Sequence, residues 1–576
     1  MDPGSNKNSI SGYNLPVKPV QEVLERIKTD RIIERIWSND HTVWSDDPGE
    51  ISNRLGWLNS PVTIADSIET ITEFADQTRA AGHTKALLLG MGGSSLAPEV
   101  FRKIFGVQSG YLDLDVLDST DPGAVLEKER NLDLQKTLFI VSTKSGGTVE
   151  TVSLMKYFYN LTQKNLGKEH AGSHFIAITD PGSGLEKTAR ELNFRKIYLN
   201  DPDIGGRYSA LSYFGLVPAG LIGIDLKRLL ERAAHMAEKA KTIDLSLPEG
   251  NTPAWLGAVL GASGRLGYDK VTLVLSPPVK PFGAWIEQLL AESTGKAGRG
   301  LLPVDGETLL GPEAYANDRL FAYFRLNGDT AHDQKIERLK NAGFPVIQLN
   351  LPERYALGGE MYRLMIATAV AGWALQINPF DQPNVESAKA LARKMANGYR
   401  EKGELPSLKP DLITDGIKVY GGFGAENLQH LWQEFFRQVQ PGEKEKKGRS
   451  YIAIQAYLKP DPETDQALQK MRDKIQVKLR MAVTVGYGPR FLHSTGQLHK
   501  GDGGNGLFIQ FTAAMPEDVP IPDEPGSDQS SISFGLLKTA QALGDHQALL
   551  DAGRKVIRFH IEDNIAGTIE KLTAAL

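Results

Sequence analysis

The sequence predicts an α/β chain: two doubly wound parallel-sheet domains, then a C-terminal α+β extension. Three observations predict it. The 576 residues exceed what one hydrophobic core holds, so several domains are expected. From about residue 80, short apolar runs alternate with longer helical stretches, the pattern of βαβ units with helices on both faces of a parallel sheet. The pattern restarts after a helical stretch at 225–242 and changes texture near 400. The expected divisions are an N-terminal helical segment at 1–40, α/β domains at 41–235 and 236–398, and the extension at 399–576.

Residues 17–40 read as an amphipathic helix, with Val20, Val23, Leu24 and Ile27 at i, i+3, i+4 and i+7. Strands of the first domain are expected at Ala86–Met91, Leu112–Leu117, Thr137–Ser142, Phe175–Thr179 and Ile197–Leu199. In the second domain they are expected at Val271–Leu275, Leu320–Phe324 and Val346–Leu349. Between them, Phe282, Trp285, Ile286 and Leu289 fall at helical spacing. No sequence-level repeat links the two halves. In the extension, 440–450 is a charged loop, Tyr451–Leu458 a strand, and Leu468, Met471, Ile475 and Leu479 mark a helix face. Strands at Ala482–Val485 and Leu507–Phe511 precede an exposed loop at 515–529, rich in proline and acid.

Composition narrows the function. The net charge of -5 offers no basic excess to neutralise a phosphate backbone, so nucleic acid is not the expected partner. A local positive site for a small anion remains open. With no cysteine, thiolate chemistry and cysteine-ligated zinc are excluded. The first residues lack an apolar signal-peptide core, and the longest apolar stretches, such as Ile366 to Ile377, are too short to span a bilayer. A cytoplasmic protein without membrane contact is expected.

Five stretches suggest chemistry. Gly90-Met91-Gly92-Gly93-Ser94-Ser95 follows a strand and opens a helix, where glycines let the backbone approach an anion and free amides bind it. The plain alternative is a tight βα turn. Ser142-Thr143-Lys144-Ser145-Gly146-Gly147-Thr148-Val149-Glu150-Thr151 also joins a strand to a helix, bringing hydroxyls, amides and a lysine to a helix start. It is no P-loop; its alternative is a capped turn. Two such loops at one end of a sheet favour a sugar-phosphate site, because ligands of open α/β sheets lie at the carboxyl ends of strands. Gly205-Gly206-Arg207-Tyr208-Ser209 would aim a permanently charged arginine into a crevice, or leave it on the surface. Glu292, in Glu287–Lys296, falls near a helix C-terminus, where the macrodipole disfavours its charge and suits it to act as a base. The plain alternative is a solvated glutamate. In Asn378–Lys389, Pro383 near a helix start sets Lys389 about two turns on.

Together these stretches resemble glucose-6-phosphate isomerase over about residues 85–395, in the family's order: GMGGSSLAP, STKSGGTVET, GGRYSALS, AESTGK and NPFDQPNVESAK. The resemblance implies two SIS-type (sugar isomerase) domains, each a three-layer sandwich, and interconversion of glucose 6-phosphate and fructose 6-phosphate in glycolysis and gluconeogenesis. It implies no metal and no organic cofactor. Carried over residue by residue, Gly93 and Ser94 would line the sugar-phosphate site, with Gly206 beside them. Thr143, Lys144, Ser145, Thr148 and Thr151 would hold the phosphate. Arg207 would stabilise the cis-enediolate and Glu292 would move the proton between C2 and C1. Gln382 and Lys389 match the late motif, whose lysine assists ring opening. A homodimer is also implied.

One departure matters. The family's catalytic histidine follows the glutamate motif by about thirty residues, yet here that region reads GPEAYANDRLFAYFRL, and His332 beyond it looks solvent-exposed. The stretch Gly488–Gly501 (GPRFLHSTGQLHKG) offers a replacement: His493, with His499 as second choice. It resembles the end of the isomerase portion of bifunctional transaldolase–glucose-6-phosphate isomerase proteins, and 32–57 resembles their connecting region. No transaldolase barrel fits in this chain, so the isomerase half alone, or a single-function relative, is expected. The competing readings are a dual phosphoglucose/phosphomannose isomerase, a SIS-domain sugar-phosphate sensor, and a C-terminal unit that is an independent binding module.

Overall fold

A computed structural model describes residues 9–247, 250–402, 405, 408–421 and 423–576. Three sheets organise it. The first is all parallel, in the order Asp113–Leu117, Lys85–Gly90, Thr137–Ser142, Phe175–Thr179, Lys196–Leu199. Its three central strands are near-continuous apolar runs because both of their faces are covered. Leu88, Ile140 and Ile176 enter one core, while Leu87, Phe139 and Ala177 enter another on the opposite face. That is a three-layer sandwich.

The second sheet runs Ser9–Tyr13, Val346–Leu351, Arg319–Leu326, Lys270–Leu275, Leu302–Val304. Only the first of these is antiparallel to its neighbour. Helix Phe282–Thr294, which carries Glu292, leaves the carboxyl end of Lys270–Leu275.

The third sheet is mixed. An antiparallel pair, Leu412–Thr414 and Ile417–Tyr420, flanks four parallel strands: Lys555–Ile561, Gly506–Ala513, Tyr451–Tyr457 and Val483–Tyr487. The parallel strands of all three sheets follow one order. The second in sequence lies outside the first, and the third and fourth continue on its other side. The extension thus repeats the doubly wound pattern, with an antiparallel hairpin on its edge.

The N-terminal segment departs from the expected helix. Ser9–Tyr13 is an edge strand, and the helix at 17–40 is two, Val17–Thr29 and Ile32–Trp37, broken at Arg31 with φ 53°. Besides Ser9–Tyr13, six strands were not expected: Leu302–Val304, Leu412–Thr414, Ile417–Tyr420, Lys555–Ile561, and the antiparallel pair Pro520–Ile521 and Ile532–Ser533, the first of which lies within the stretch expected to be an exposed loop. The first three are too short to show a period.

Candidate active site

The glycine-rich turn is a packing device before it is a cradle. Gly92 has φ +55°, and a Cβ there would fall 2.9 Å from the carbonyl oxygen of His493. A Cβ on Gly93 would fall 2.0 Å from the carbonyl oxygen of Gly206. Glycine at both positions lets the first sheet's turn touch the Arg207 loop and the C-terminal unit. The amides of Ser94 and Ser95 donate to Met91 and Gly92 within the turn, so they are not free for an anion as expected. Ser94 is buried, and its carbonyl accepts from Ser142 Oγ at 3.0 Å.

The Ser142–Thr151 loop does border open space. Ser145, Gly146, Gly147 and Thr148 line a cleft of about 750 Å³, together with Lys156, Lys389 and Arg393. Thr148 starts helix Val149–Leu166, whose first amides lack intrahelical partners and whose dipole favours an anion. Thr143 and Thr148 share a 3.0 Å hydroxyl contact, and Thr151 Oγ1 is buried without a partner. Lys144 departs from expectation. Its ammonium is tied to the Asp180 carboxylate and donates to the carbonyl of Pro202 at 2.7 Å, so it braces the loop from behind. A cation near a phosphate loop in sequence need not face it. The cleft's basic wall comes instead from helix Val385–Lys402, where Lys389 and Arg393 lie 3.0 and 3.6 Å from Glu386.

Arg207 and Glu292 are buried together beyond this cleft's lining. The guanidinium donates from Nε to Ser293 Oγ at 2.8 Å, and from Nη2 to the carbonyls of Pro379 and Asp381 at 2.9 and 2.8 Å. Nη1 donates to Gln382 Oε1 at 3.2 Å and lies 3.7 Å from Glu292 Oε1. Four hydrogen bonds and one ion pair thereby hold the planar fork in place. Gln382 therefore positions Arg207. Lys296 donates to Asp381 Oδ1 at 2.7 Å; burial, then the nearby Arg207 charge, push it down to about 8.

Gln288, one turn before Glu292, joins the two halves of the site. Its amide donates to Glu292 Oε2 at 3.1 Å and to the carbonyl of His493 at 2.8 Å. The His493 ring lines the cleft, with Nε2 2.9 Å from Glu150 Oε1. Gln541 Nε2 donates to that same oxygen at 2.8 Å. Burial works to raise Glu150, but the His493 charge and hydrogen bond outweigh it and hold the carboxyl below its usual range. A buried carboxylate thus fixes the imidazole at the cleft wall.

His499 is elsewhere. It is 2% exposed among the rings of Tyr451, Phe491 and Phe508, with Nδ1 3.4 Å from Gln455 Nε2. Burial, then the neighbouring Lys500 and Arg554, push it well below the usual histidine range. It belongs to the core of the C-terminal unit, a correction to its reading as a second choice. His332 is half-buried beside Tyr323 at the start of helix Asp333–Asn341. Among the described residues, no cluster of His, Cys, Asp or Glu side chains is arranged to hold a metal ion.

Three polar side chains escaped the sequence reading. Glu150 and Gln288 lie within the motifs, but nothing in their local spacing marks them as partners of His493 and Glu292. Gln541 had no signal at all; it reaches Glu150 across 391 positions.

The phosphoglucose isomerase family profile matches residues 62–301. A glucose-6-phosphate isomerase of Thermus thermophilus is 31% identical over 396 residues, covering 61% of this chain and 92% of that protein. A probable glucose-6-phosphate isomerase of Methanococcus maripaludis is 28% identical over 399 residues, covering 62% and 87%. Among solved structures, a hypothetical protein of Thermus thermophilus matches with TM-score 0.57 and 27% identity, covering 67% of this chain and 99% of that one. A Chlamydia trachomatis glucose-6-phosphate isomerase shares the fold, with TM-score 0.58, 18% identity and coverage of 70% and 92%. With 92% of a 31% identical relative spanned, this chain belongs to the phosphoglucose isomerase family.

Proposed function

We propose that this chain interconverts glucose 6-phosphate and fructose 6-phosphate. The observation that carries the reading is the linkage of a buried Glu292–Arg207 pair, through Gln288, to a His493–Glu150 pair facing the cleft. The phosphate would sit at the start of helix Val149–Leu166, against Ser145 and Thr148, with Thr143 and Thr151 behind. Lys144 would serve by bracing that loop. Ring opening breaks the bond between the anomeric carbon and the ring oxygen. His493 gives the ring oxygen a proton, the anomeric hydroxyl loses one, and Lys389 assists. Glu292 then removes the proton alpha to the carbonyl, electrons move onto the carbonyl oxygen, and Arg207 stabilises the cis-enediolate. The proton of the neighbouring hydroxyl passes to the former carbonyl oxygen, and return of the abstracted proton to the former carbonyl carbon leaves the new carbonyl next door, with no net oxidation. Gly93, Ser94 and Gly206 would shape the wall between the two loops.

No described helix is long and apolar enough to cross a membrane. A cytoplasmic location and the homodimer implied by the resemblance form part of this proposal, with every site residue supplied by a single chain.

The test is conversion of fructose 6-phosphate to glucose 6-phosphate by the parent, Glu292→Gln and His493→Ala. Glu292→Gln is expected to lose about 10³-fold or more in kcat, and His493→Ala on the order of 10²-fold, regained on open-chain sugar. A parent that binds the sugar phosphate without turning it over would sink the isomerase reading.

A further inference from the structure

In an open doubly wound sheet, ligands lie beyond the carboxyl ends of the strands where chain order reverses. In the first sheet that place, after Lys85–Gly90 and Thr137–Ser142, holds the glycine turn and the hydroxyl-rich loop. The third sheet repeats the order, and its corresponding strands are Tyr451–Tyr457 and Gly506–Ala513. Beside their carboxyl-terminal residues Tyr457, Thr512 and Ala513 lies a second cavity, of about 310 Å³. That is the lower end of the size range of small-molecule sites.

This cavity is basic. Arg558 and His560 share one face of strand Lys555–Ile561, while Ile557, Phe559 and Ile561 fill the core on the other. Tyr420 and Lys418 pair with them across the antiparallel edge, and helix Phe534–Asp551 closes the cavity with Lys538 and Thr539. Both lysines have counter-charges: Lys538 donates to Asp121 at 2.7 Å, and Lys418 lies 2.5 Å from Glu562. Arg558 does not. It is 5% exposed, its Nε is buried without a hydrogen-bond partner, and its guanidinium carbon stands 4.1 Å from the centroid of the Tyr420 ring. Among the described residues no carboxylate forms an ion pair with it. A buried cation with neither counter-ion nor full hydrogen bonding is costly in an unliganded fold. An anion entering the cavity would supply both.

We propose that this cavity is a second ligand site, binding a small phosphate monoester with its phosphate on Arg558 and its carbon body against Tyr420, Tyr457 and Ala542. Thr512 and Thr539 supply hydroxyls at the rim. A planar fork suits a phosphate oxygen pair better than an ammonium does. The site is independent of the isomerase reading, since binding there needs no turnover.

The test titrates full-length protein with inorganic phosphate at constant ionic strength by calorimetry, comparing the parent with Thr148→Val and Arg558→Met. The parent is expected to show two equivalents. Thr148→Val keeps the cavity equivalent, and Arg558→Met keeps the loop equivalent while its kcat/KM without phosphate stays within about twofold of the parent's. Without phosphate, Arg558→Met melts no lower than the parent, because it removes an unpaired buried cation. Should Arg558→Met not fold, Arg558→Lys keeps the charge and is expected to weaken the cavity equivalent roughly tenfold. Equal stoichiometry and affinity in the parent and the Arg558 variants would overturn the site. Glycerol 3-phosphate separates the sources: tighter binding than inorganic phosphate at this site supports the monoester, and exclusion overturns it.

Discussion

At Gly93 a single hydrogen decides how closely two loops meet. The atoms that an added methyl would strike are the carbonyl oxygen of Gly206 at 2.0 Å, its carbon at 2.4 Å and the nitrogen of Arg207 at 3.1 Å. All are backbone, so none can swing aside, and the Arg207 loop must move. Gly93→Ala is therefore expected to lower kcat about 10²-fold or more and to cost about 1–3 kcal/mol of stability. Parent-like kcat in a folded Gly93→Ala protein would show that the contact is unimportant. Lys296 carries a pH signature. Its pKa falls from 10.5 to about 8, through burial first and the Arg207 charge second, with Asp381 opposing. Between those values the unfolded chain holds a proton that the folded chain has released, so folding gains stability as pH rises through that window. Below pH 8 the contribution is constant and at its least favourable. Melting curves should show the parent gaining on Lys296→Met between pH 8 and 10; parallel curves would mean that folding leaves the Lys296 ammonium unshifted.

Among elements, helix Phe534–Asp551 stands between two cavities. Leu537 and Gln541 line the main cleft, while Lys538, Thr539 and Ala542 line the second. Gln541 accepts from Thr120 Oγ1 at 2.8 Å and donates to the Glu150 oxygen that holds His493. Gln541→Leu should lower the melting temperature, because the Thr120 hydroxyl is left buried without its acceptor. That loss alone could be structural. The separating readout is the rate on ring-closed against open-chain sugar: the first should fall about threefold to tenfold relative to the second, in line with one lost hydrogen bond. An equal fall on both would confine Gln541 to the fold. The same helix shows what sequence pattern can carry. The loops after Lys85–Gly90 and Thr137–Ser142 were legible because glycines and hydroxyls mark a strand-to-helix turn locally. Glu292 and Arg207 were legible through their motif. Lys144 was misplaced because its orientation is set by Asp180 and Pro202. Gln541 and the His493–Glu150 pair depend on contacts between distant strand orders, which no local period encodes.

The whole molecule packs a third doubly wound unit against the first two. Arg490 lies 3.2 Å from Asp118 and also pairs with Glu99; Lys538 pairs with Asp121, and Gln497 donates to the carbonyl of Gly295 at 2.9 Å. Arg472 donates to the carbonyl of Asp305 at 2.6 Å. These contacts join residues 472–538 to both preceding units, and the Lys538–Asp121 pair is buried, so breaking it strands charges away from water. Loss of residues 399–576 should therefore abolish turnover, against the reading of an independent module. The stronger expectation concerns assembly. If one chain supplies Glu292, Arg207, Glu150 and His493 to one site, then Glu292→Gln and His493→Ala chains cannot repair each other. Co-expressed, they should give no more activity than the variants alone, whatever the oligomeric state. Were His493 instead delivered to a partner's site, half of randomly assorted dimers would be mixed, each with one intact site, restoring about a quarter of parent activity. Activity near that level would mean that the C-terminal unit acts across subunits and that the intrachain contact between His493 and Glu150 is not the working one. Its absence, with both variants folded and co-purifying, fixes the C-terminal unit as each chain's own source of the histidine.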